Sequence, residues 1–186
     1  MPPHDRPLRA DARRNYERLV VAAREAFTEH GAEAHLDDIA RRANVGPGTL
    51  YRHFPNREAL LAAVYRDDVD ALTEQADELA ERLAPWEALD AWLRLQLEYI
   101  KAKRGLGSAV KTMLSNDSET LAWCRDNLRA ALRRLLTSAQ DAGAVRRDVD
   151  ATEVLRLVHG VGIASEPVPD QADRLLTLVL DGLRAR

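Results

Sequence analysis

The 186-residue sequence contains one cysteine, Cys124, and no run of about 18 uncharged apolar residues. A single cysteine excludes an internal disulfide, and no Cys/His cluster has the spacing of metal ligands. The first residues are rich in proline, arginine and aspartate, and they lack the apolar segment of a signal peptide. We therefore expect a cytoplasmic protein that does not enter a membrane and uses no metal or cofactor.

A strong charge of either sign is also missing, because 27 lysines and arginines stand against 30 acidic residues, a formal net charge of −3. Domains that bind nucleic acid are commonly basic, so the total is weak evidence against DNA binding. Residues 1–60 contain ten arginines and nine acidic residues, whereas residues 61–186 contain 17 basic and 21 acidic residues. A DNA-binding surface must therefore come from local clustering of arginines near the N-terminus.

Apolar residues recur at helical spacing along the chain, and no segment shows the alternation of a half-buried strand. Asn44 tolerates a positive φ and is the expected turn residue between two short helices. Asp150 can cap a later helix. The pattern predicts an all-α fold with about nine helices: 13–30, 36–43, 48–54, 57–83, 86–103, a short helix near 109–114, a long helix that starts after Asn116 and ends at Gly143, 151–164 and 170–183.

The first three predicted helices form a unit in which a tight turn joins two short helices. Such a helix-turn-helix can place its last helix in the major groove of DNA. Helical spacing assigns Leu50 and Phe54 to the core and leaves polar groups on the exposed faces. The expected DNA-binding residues are Arg42, Gly48, Thr49, Tyr51, Arg52, His53 and Arg57.

Four short motifs in this region resemble the TetR (tetracycline-repressor-like) family of transcription regulators. They are Asp38-Ile39-Ala40, Ala43-Asn44-Val45, Gly48-Thr49-Leu50-Tyr51-Arg52-His53-Phe54 and Arg57-Glu58-Ala59-Leu60-Leu61. The resemblance implies an all-α homodimer whose larger C-terminal domain binds a small ligand that releases DNA. It also implies that Thr49, Tyr51, His53 and Arg57 contact phosphates or bases. The sequence departs from the family pattern at His35, Asn44 and Pro47.

We expect three segments: an N-terminal arm over 1–12, a helix-turn-helix domain over 13–60, and a helical ligand-binding and dimerisation domain over 61–186. The arm is either a DNA-contacting segment or a solvated tail. Large apolar side chains of the central helices are candidates for a ligand pocket: Trp92, Tyr99, Met113, Trp123 and Leu128. Apolar stripes on the last two helices are candidates for a dimer interface: Val154, Val158, Val161, Leu175, Leu176, Val179 and Leu183.

These features together predict a sequence-specific DNA-binding regulator, a repressor that a small-molecule ligand releases from a palindromic operator. Double-stranded DNA, a small-molecule effector and a second copy of the chain are the expected partners. An enzyme is not expected, because no nucleophile, paired-carboxylate or metal motif occurs. Two alternatives stay open: a helical protein-interaction module that has lost DNA binding, favoured by Pro47 and the low positive charge, and a transcription activator. The sequence identifies neither the effector nor the operator.

Overall fold

The computed structural model describes residues 5–103 and 119–185. Eight α-helices lie in these residues: α1 (Asp5–His30), α2 (Leu36–Arg42), α3 (Pro47–His53), α4 (Arg57–Arg82), α5 (Pro85–Ala102), α6 (Glu119–Asp141), α7 (Ala151–Ala164) and α8 (Ala172–Leu183). The described part of the chain contains no strand, so the all-α prediction is confirmed. The short helix expected near 109–114 lies outside the described residues, and so do Met113 and Asn116.

The first helix begins at Asp5, eight residues before the predicted start at residue 13. Proline is tolerated in the first turn of a helix, where backbone N–H groups have no intrahelical partner. Pro7 therefore does not prevent an early start, and the alanines and leucine that follow it favour a helix. Residues 5–12 of the expected arm are thus helical, and their contact with DNA stays a prediction.

Residues 5–67 form one compact unit, and residues 68–103 and 119–185 form a second. The first unit ends inside α4, so the expected domain boundary at residue 60 stays a prediction. Its core is made by the apolar face of each of its four helices. The side chains that are at most 1% exposed include Leu19, Phe27, Ile39, Leu50, Leu60 and Leu61.

The turn between α2 and α3 depends on one left-handed residue. Asn44 has φ 52°, and it is the one non-glycine residue with positive φ in the described part of the chain. The N–H of Ala43 bonds the Ile39 carbonyl at 2.9 Å, and the N–H of Val45 bonds the Ala40 carbonyl at 3.0 Å. The chain therefore reverses sharply and starts α3 at Pro47, one residue before the predicted start at residue 48.

The second unit is organised around α5, which packs against α6, α7 and α8. Trp92 of α5 is fully buried, and its Nε1–H donates to the Leu72 carbonyl of α4 at 2.8 Å. A buried indole N–H needs such a partner, because burying it without a hydrogen bond costs free energy. Gly162 of α7 lies directly against Ile100 of α5, so these two helices approach closely.

The start of α7 is fixed by a reciprocal cap. The Asp150 carboxylate accepts from the N–H groups of Thr152 and Glu153, at 2.7 and 2.9 Å, and the Glu153 carboxylate accepts from the Asp150 N–H at 2.9 Å. These bonds satisfy backbone donors that the first turn leaves unpaired. The prediction that Asp150 caps this helix is confirmed. Among the helices described, none combines the length and apolar character needed to cross a membrane.

Candidate DNA-binding site

The recognition helix α3 is held in the core by one face and exposes the other. Leu50 is 1% exposed and Phe54, which ends the helix, is 3% exposed. Residues on the other side of the helix point outward, and the Tyr51 side chain is 49% exposed. Gly48 and Arg52 are exposed next to it. The helix therefore presents an aromatic hydroxyl and a guanidinium on one solvent-facing surface.

Thr49 and His53 are half-buried, which limits how far each can reach from the surface. The His53 ring lies edge-on to Tyr16 of α1, with ring centroids 6.2 Å apart, and Tyr16 packs on Phe54 at 5.1 Å. His53 thus belongs to an aromatic cluster that ties α3 to α1. This role of Tyr16 is not evident from the sequence, because Tyr16 and His53 are far apart in the chain.

Arg52 is exposed but hydrogen-bonded within its own helix. Its Nε donates to the Gly48 carbonyl at 3.1 Å, and its Nη2 donates to the Thr49 hydroxyl at 3.0 Å. Hydrogen bonds at an exposed surface contribute little net free energy, because water can replace either partner. The Arg52 guanidinium can therefore exchange these two partners for a nearby phosphate at a small cost in free energy.

Arginines of α2 are matched by acidic side chains. The Arg42 guanidinium lies 2.6 Å from the Glu29 carboxylate at the end of α1, and Arg41 pairs with Asp38 of its own helix. The hydrogen bond from Arg42 holds the pKa of Glu29 below its ordinary value. The positive charge of Arg41 and Arg42 is thus largely neutralised within the chain. The contact between Arg42 and Glu29 joins two different helices, so helical spacing does not predict it.

Two further arginines donate to backbone carbonyls beside the helix-turn-helix. Arg57, at the first residue of α4, places Nη1 2.5 Å from the Ala34 carbonyl, just before α2. Arg18 of α1 places Nη2 3.3 Å from the carbonyl of Asn44, the left-handed turn residue. Arg18 was not expected to take part in the site. Both contacts connect a long helix to the short helices that they support.

The residues expected to line a ligand pocket differ in exposure. Trp92 is fully buried and bonded to α4, whereas Tyr99, Trp123 and Leu128 are half-buried. Gln96 of α5 was not expected among them. It is 5% exposed, and its Oε1 has no hydrogen-bond partner among the residues that the structure describes. A buried acceptor without a donor costs free energy, so Gln96 marks a polar point in the core of the second unit.

The apolar stripes expected at a dimer interface lie mainly inside the core of the single chain. Leu175 and Val179 are half-buried against that core. Five others are at most 9% exposed: Val154, Val158, Val161, Leu176 and Leu183. The exposed apolar side chains of α7 and α8 are instead Leu157, Ile163 and Leu178, at 49, 52 and 60%. The role of the predicted stripe in a dimer stays a prediction, and these three side chains are additional apolar surface available to a partner. Both helices are apolar on two faces, and helical spacing alone does not tell which face is internal.

Two family models match the chain and together cover most of it. Residues 19–64 match the model described as bacterial regulatory proteins of the tetR family. Residues 84–185, more than half of the chain, match the model described as the C-terminal domain of SbtR-like transcriptional regulators. The first match includes the turn at Asn44, all of α3 and the start of α4. The second match includes α5 to α8.

Similar proteins of known structure extend over nearly the whole chain. A TetR transcriptional regulator, SCO0520 from Streptomyces coelicolor, is 40% identical, with a TM-score of 0.78, over 91% of this chain and 98% of that one. A TetR transcription regulatory protein from Mycobacterium vanbaalenii is 36% identical, with a TM-score of 0.78, over 96% and 100%. The transposon Tn10 TetC protein of Escherichia coli is 33% identical over 86 residues, which are 46% of this chain. That match covers 44% of the relative's length, so it compares less than half of either protein.

Proposed function

The chain belongs to the TetR family of transcriptional regulators, and from that premise we propose that it binds operator DNA with α3 in the major groove. The observation that carries the proposal is that α3 buries one face and exposes the other. Leu50 anchors the helix in the core, and Tyr51, the next residue, is 49% exposed on the opposite surface. A short helix held this way can enter a groove about 12 Å wide without disturbing the unit that supports it.

The proposed DNA contacts combine groups for bases and groups for phosphates. Tyr51 and Arg52 are exposed on α3 and are the contacts that the geometry supports best. Gly48 allows close approach of the backbone, because it has no side chain to separate α3 from the DNA. Thr49 and His53 would contact DNA at the edge of the helix. Arg42 would reach a phosphate by exchanging its contact with Glu29.

A selection experiment tests this function. Purified protein is mixed with a library of random duplexes at near-physiological salt, and the bound sequences are read for the wild type and for Tyr51→Ala. We expect the wild type to enrich a palindrome and Tyr51→Ala to lose that enrichment. A comparison variant is Tyr65→Ala, which removes a half-buried tyrosine of α4 that is not among the proposed contacts. Enrichment of no sequence by the wild type at any salt concentration would favour a protein-interaction module instead.

We further propose that the chain acts as a homodimer. A second copy would cover the exposed apolar residues Leu157, Ile163 and Leu178 of α7 and α8. These side chains are large and apolar, and their burial by a partner is the ordinary source of association energy. A twofold pair would present two α3 helices to half-sites roughly 34–36 Å apart, which is why a palindromic operator is expected.

The dimer is tested by placing a charge on the proposed interface. Leu178→Glu, at the most exposed of the three positions, should shift sedimentation from dimer to monomer, because a buried unpaired carboxylate opposes association. Leu83→Glu is the matched control, since Leu83 is a 42% exposed leucine directly after α4. A Leu178→Glu protein that sediments as a dimer at the wild-type concentration would show that the interface lies elsewhere.

Ligand-controlled repression is the last part of the proposal. Three half-buried side chains, Tyr99, Trp123 and Leu128, support a ligand site in the second unit. The buried amide oxygen of Gln96, which has no hydrogen-bond partner within 5–103 and 119–185, supports it too, because such sites combine apolar walls with a few polar groups. A compound that releases operator DNA should lose potency in Gln96→Leu. A releasing compound that is equally potent on both proteins would bind elsewhere. Transcription that rises in cells lacking the protein would establish repression, and transcription that falls would establish activation.

A further inference from the structure

The first residue of α4, Arg57, donates a hydrogen bond to another part of the chain. Its Nη1 lies 2.5 Å from the Ala34 carbonyl, and its side chain is half-buried. Ala34 is itself 2% exposed. It is followed by His35, the residue that precedes the first turn of α2. A guanidinium hydrogen bond to a backbone carbonyl in this setting is stronger than one at an open surface, because little water competes for either group.

Both ends of this contact are firmly placed. The start of α4 is capped by Asn56, whose Oδ1 accepts from the Ala59 N–H at 2.8 Å, and Leu60 and Leu61 are fully buried. On the other side, Ala34 leads into α2, and the turn at Asn44 then leads directly into α3. A hydrogen bond between Arg57 and Ala34 therefore connects the start of α4 to the start of the helix-turn-helix.

A cation in the first turn of a helix is unfavourable with respect to the helix dipole, whose N-terminal end is positive. An arginine at this position needs a negative partner, and the partial charge of the Ala34 carbonyl supplies one within the chain. Arg52 differs, because its partners lie in its own exposed helix and fix no second element.

We propose that Arg57 is a positioning residue for DNA recognition. By holding the Ala34 carbonyl, it fixes the start of α2 against the start of α4, and thereby sets the angle at which α3 is presented. The proposal rests on the proposed DNA-binding function. Arg57 then determines how well the protein distinguishes its operator from other DNA, and it contributes little to the general attraction for phosphates.

Salt dependence separates positioning from a phosphate contact. Each phosphate that a protein cation neutralises contributes about −0.9 to the slope of log affinity against log salt, for specific and random DNA alike. Loss of a phosphate contact therefore weakens binding to all sequences and reduces the slope by about one. Loss of a positioning contact weakens binding only where α3 must fit the bases, and it leaves the slope unchanged.

The experiment measures the affinity of wild type, Arg57→Gln, Arg57→Lys and Arg52→Gln across a salt series, for the selected operator and for a random duplex. For Arg57→Gln we expect operator affinity to fall about tenfold or more, the scale of losing a hydrogen bond from a charged group. Its random-duplex affinity and both slopes should match the wild type. Arg57→Lys should show the same loss, because the shorter ammonium keeps the charge but falls short of the carbonyl.

Arg52→Gln is the comparator that loses a surface cation. Its affinities for the operator and for the random duplex should both fall, and both salt slopes should become less steep. Random-duplex binding also reports the folded fraction of each variant, so a variant that is merely unfolded would lose both activities. The proposal is overturned if Arg57→Gln reduces both slopes by about one while Arg57→Lys behaves as wild type. Absence of operator selectivity in the wild type would instead refute the DNA-binding function.

Discussion

Replacing Gly162 by alanine should destabilise the second unit, although alanine is the better helix former. A Cβ built at this position falls well inside van der Waals contact of Ile100 Cγ2, and the Ile100 Cβ lies 3.3 Å away. Isoleucine is branched at Cβ and has one strongly preferred χ1 rotamer in a helix, so Ile100 cannot easily turn its methyl group away. The helices α5 and α7 must therefore move apart to accept the methyl group.

The size of this effect follows from two opposing contributions. Overpacking a core by one methyl group costs about 1–3 kcal/mol, and removing a glycine from a helix returns about 0.5–1 kcal/mol. We expect Gly162→Ala to lower the free energy of unfolding by about 1–2 kcal/mol. For a chain of this length, that corresponds to a fall in Tm of about 3–6 °C. Urea unfolding and calorimetry at one protein concentration measure both quantities.

A double-mutant cycle assigns the loss to the contact itself. Ile100→Leu removes the branch at Cβ but keeps the volume, and alone it should cost less than about 1.5 kcal/mol. In that background Gly162→Ala should cost little, because the clashing methyl group is gone. A coupling energy near zero, or a Gly162→Ala protein as stable as the wild type, would show that α5 and α7 are not in close contact here.

Three further changes give measurable outcomes. Glu29→Gln removes the acidic partner of Arg42 and should tighten DNA binding and steepen its salt dependence. A variant whose affinity equals that of the wild type at each of two salt concentrations would contradict this. Asp150→Ala should lower Tm, because a helix cap is lost. Backbone hydrogen bonds, chiefly from Glu153, lower the pKa of Asp150, so its stabilisation is present above its unfolded pKa of about 3.9 and is lost as the pH falls through the lower folded value. A wild-type protein that loses no more stability than Asp150→Ala between pH 5 and pH 2 would refute the assignment. Trp92→Phe should cost about 1–3 kcal/mol in urea unfolding, since the indole hydrogen bond is lost, and an unchanged midpoint would contradict the buried contact.

The sequence predicts the helix-turn-helix well because its geometry depends on local signals. Asn44 is one of the few residue types that tolerate a positive φ, and the spacing of Leu50 and Phe54 defines the buried face of α3. These signals need no knowledge of distant contacts. For the same reason the Asp150 cap is evident from residues within four positions of each other.

The features that the sequence does not predict depend on contacts between helices. Helical spacing shows that α7 carries apolar residues on more than one face, but only packing against α5 selects Val158 for the core and leaves Leu157 outside. In the same way, the arginines flanking α3 are visible in the sequence, while the Glu29 carboxylate that matches Arg42 comes from another helix. Surface charge therefore cannot be counted from one segment alone.

The ion pairs around α3 also bear on the speed of DNA recognition. Long-range attraction to DNA accelerates encounter only when a protein presents unmatched positive charge. Here Arg42 is matched by Glu29 and Arg41 by Asp38, and the formal net charge of the chain is −3. Association should therefore be slow compared with strongly basic DNA-binding proteins. Differences in affinity between one DNA site and another must then arise from the lifetime of the complex, after the arginines have exchanged carboxylates for phosphates.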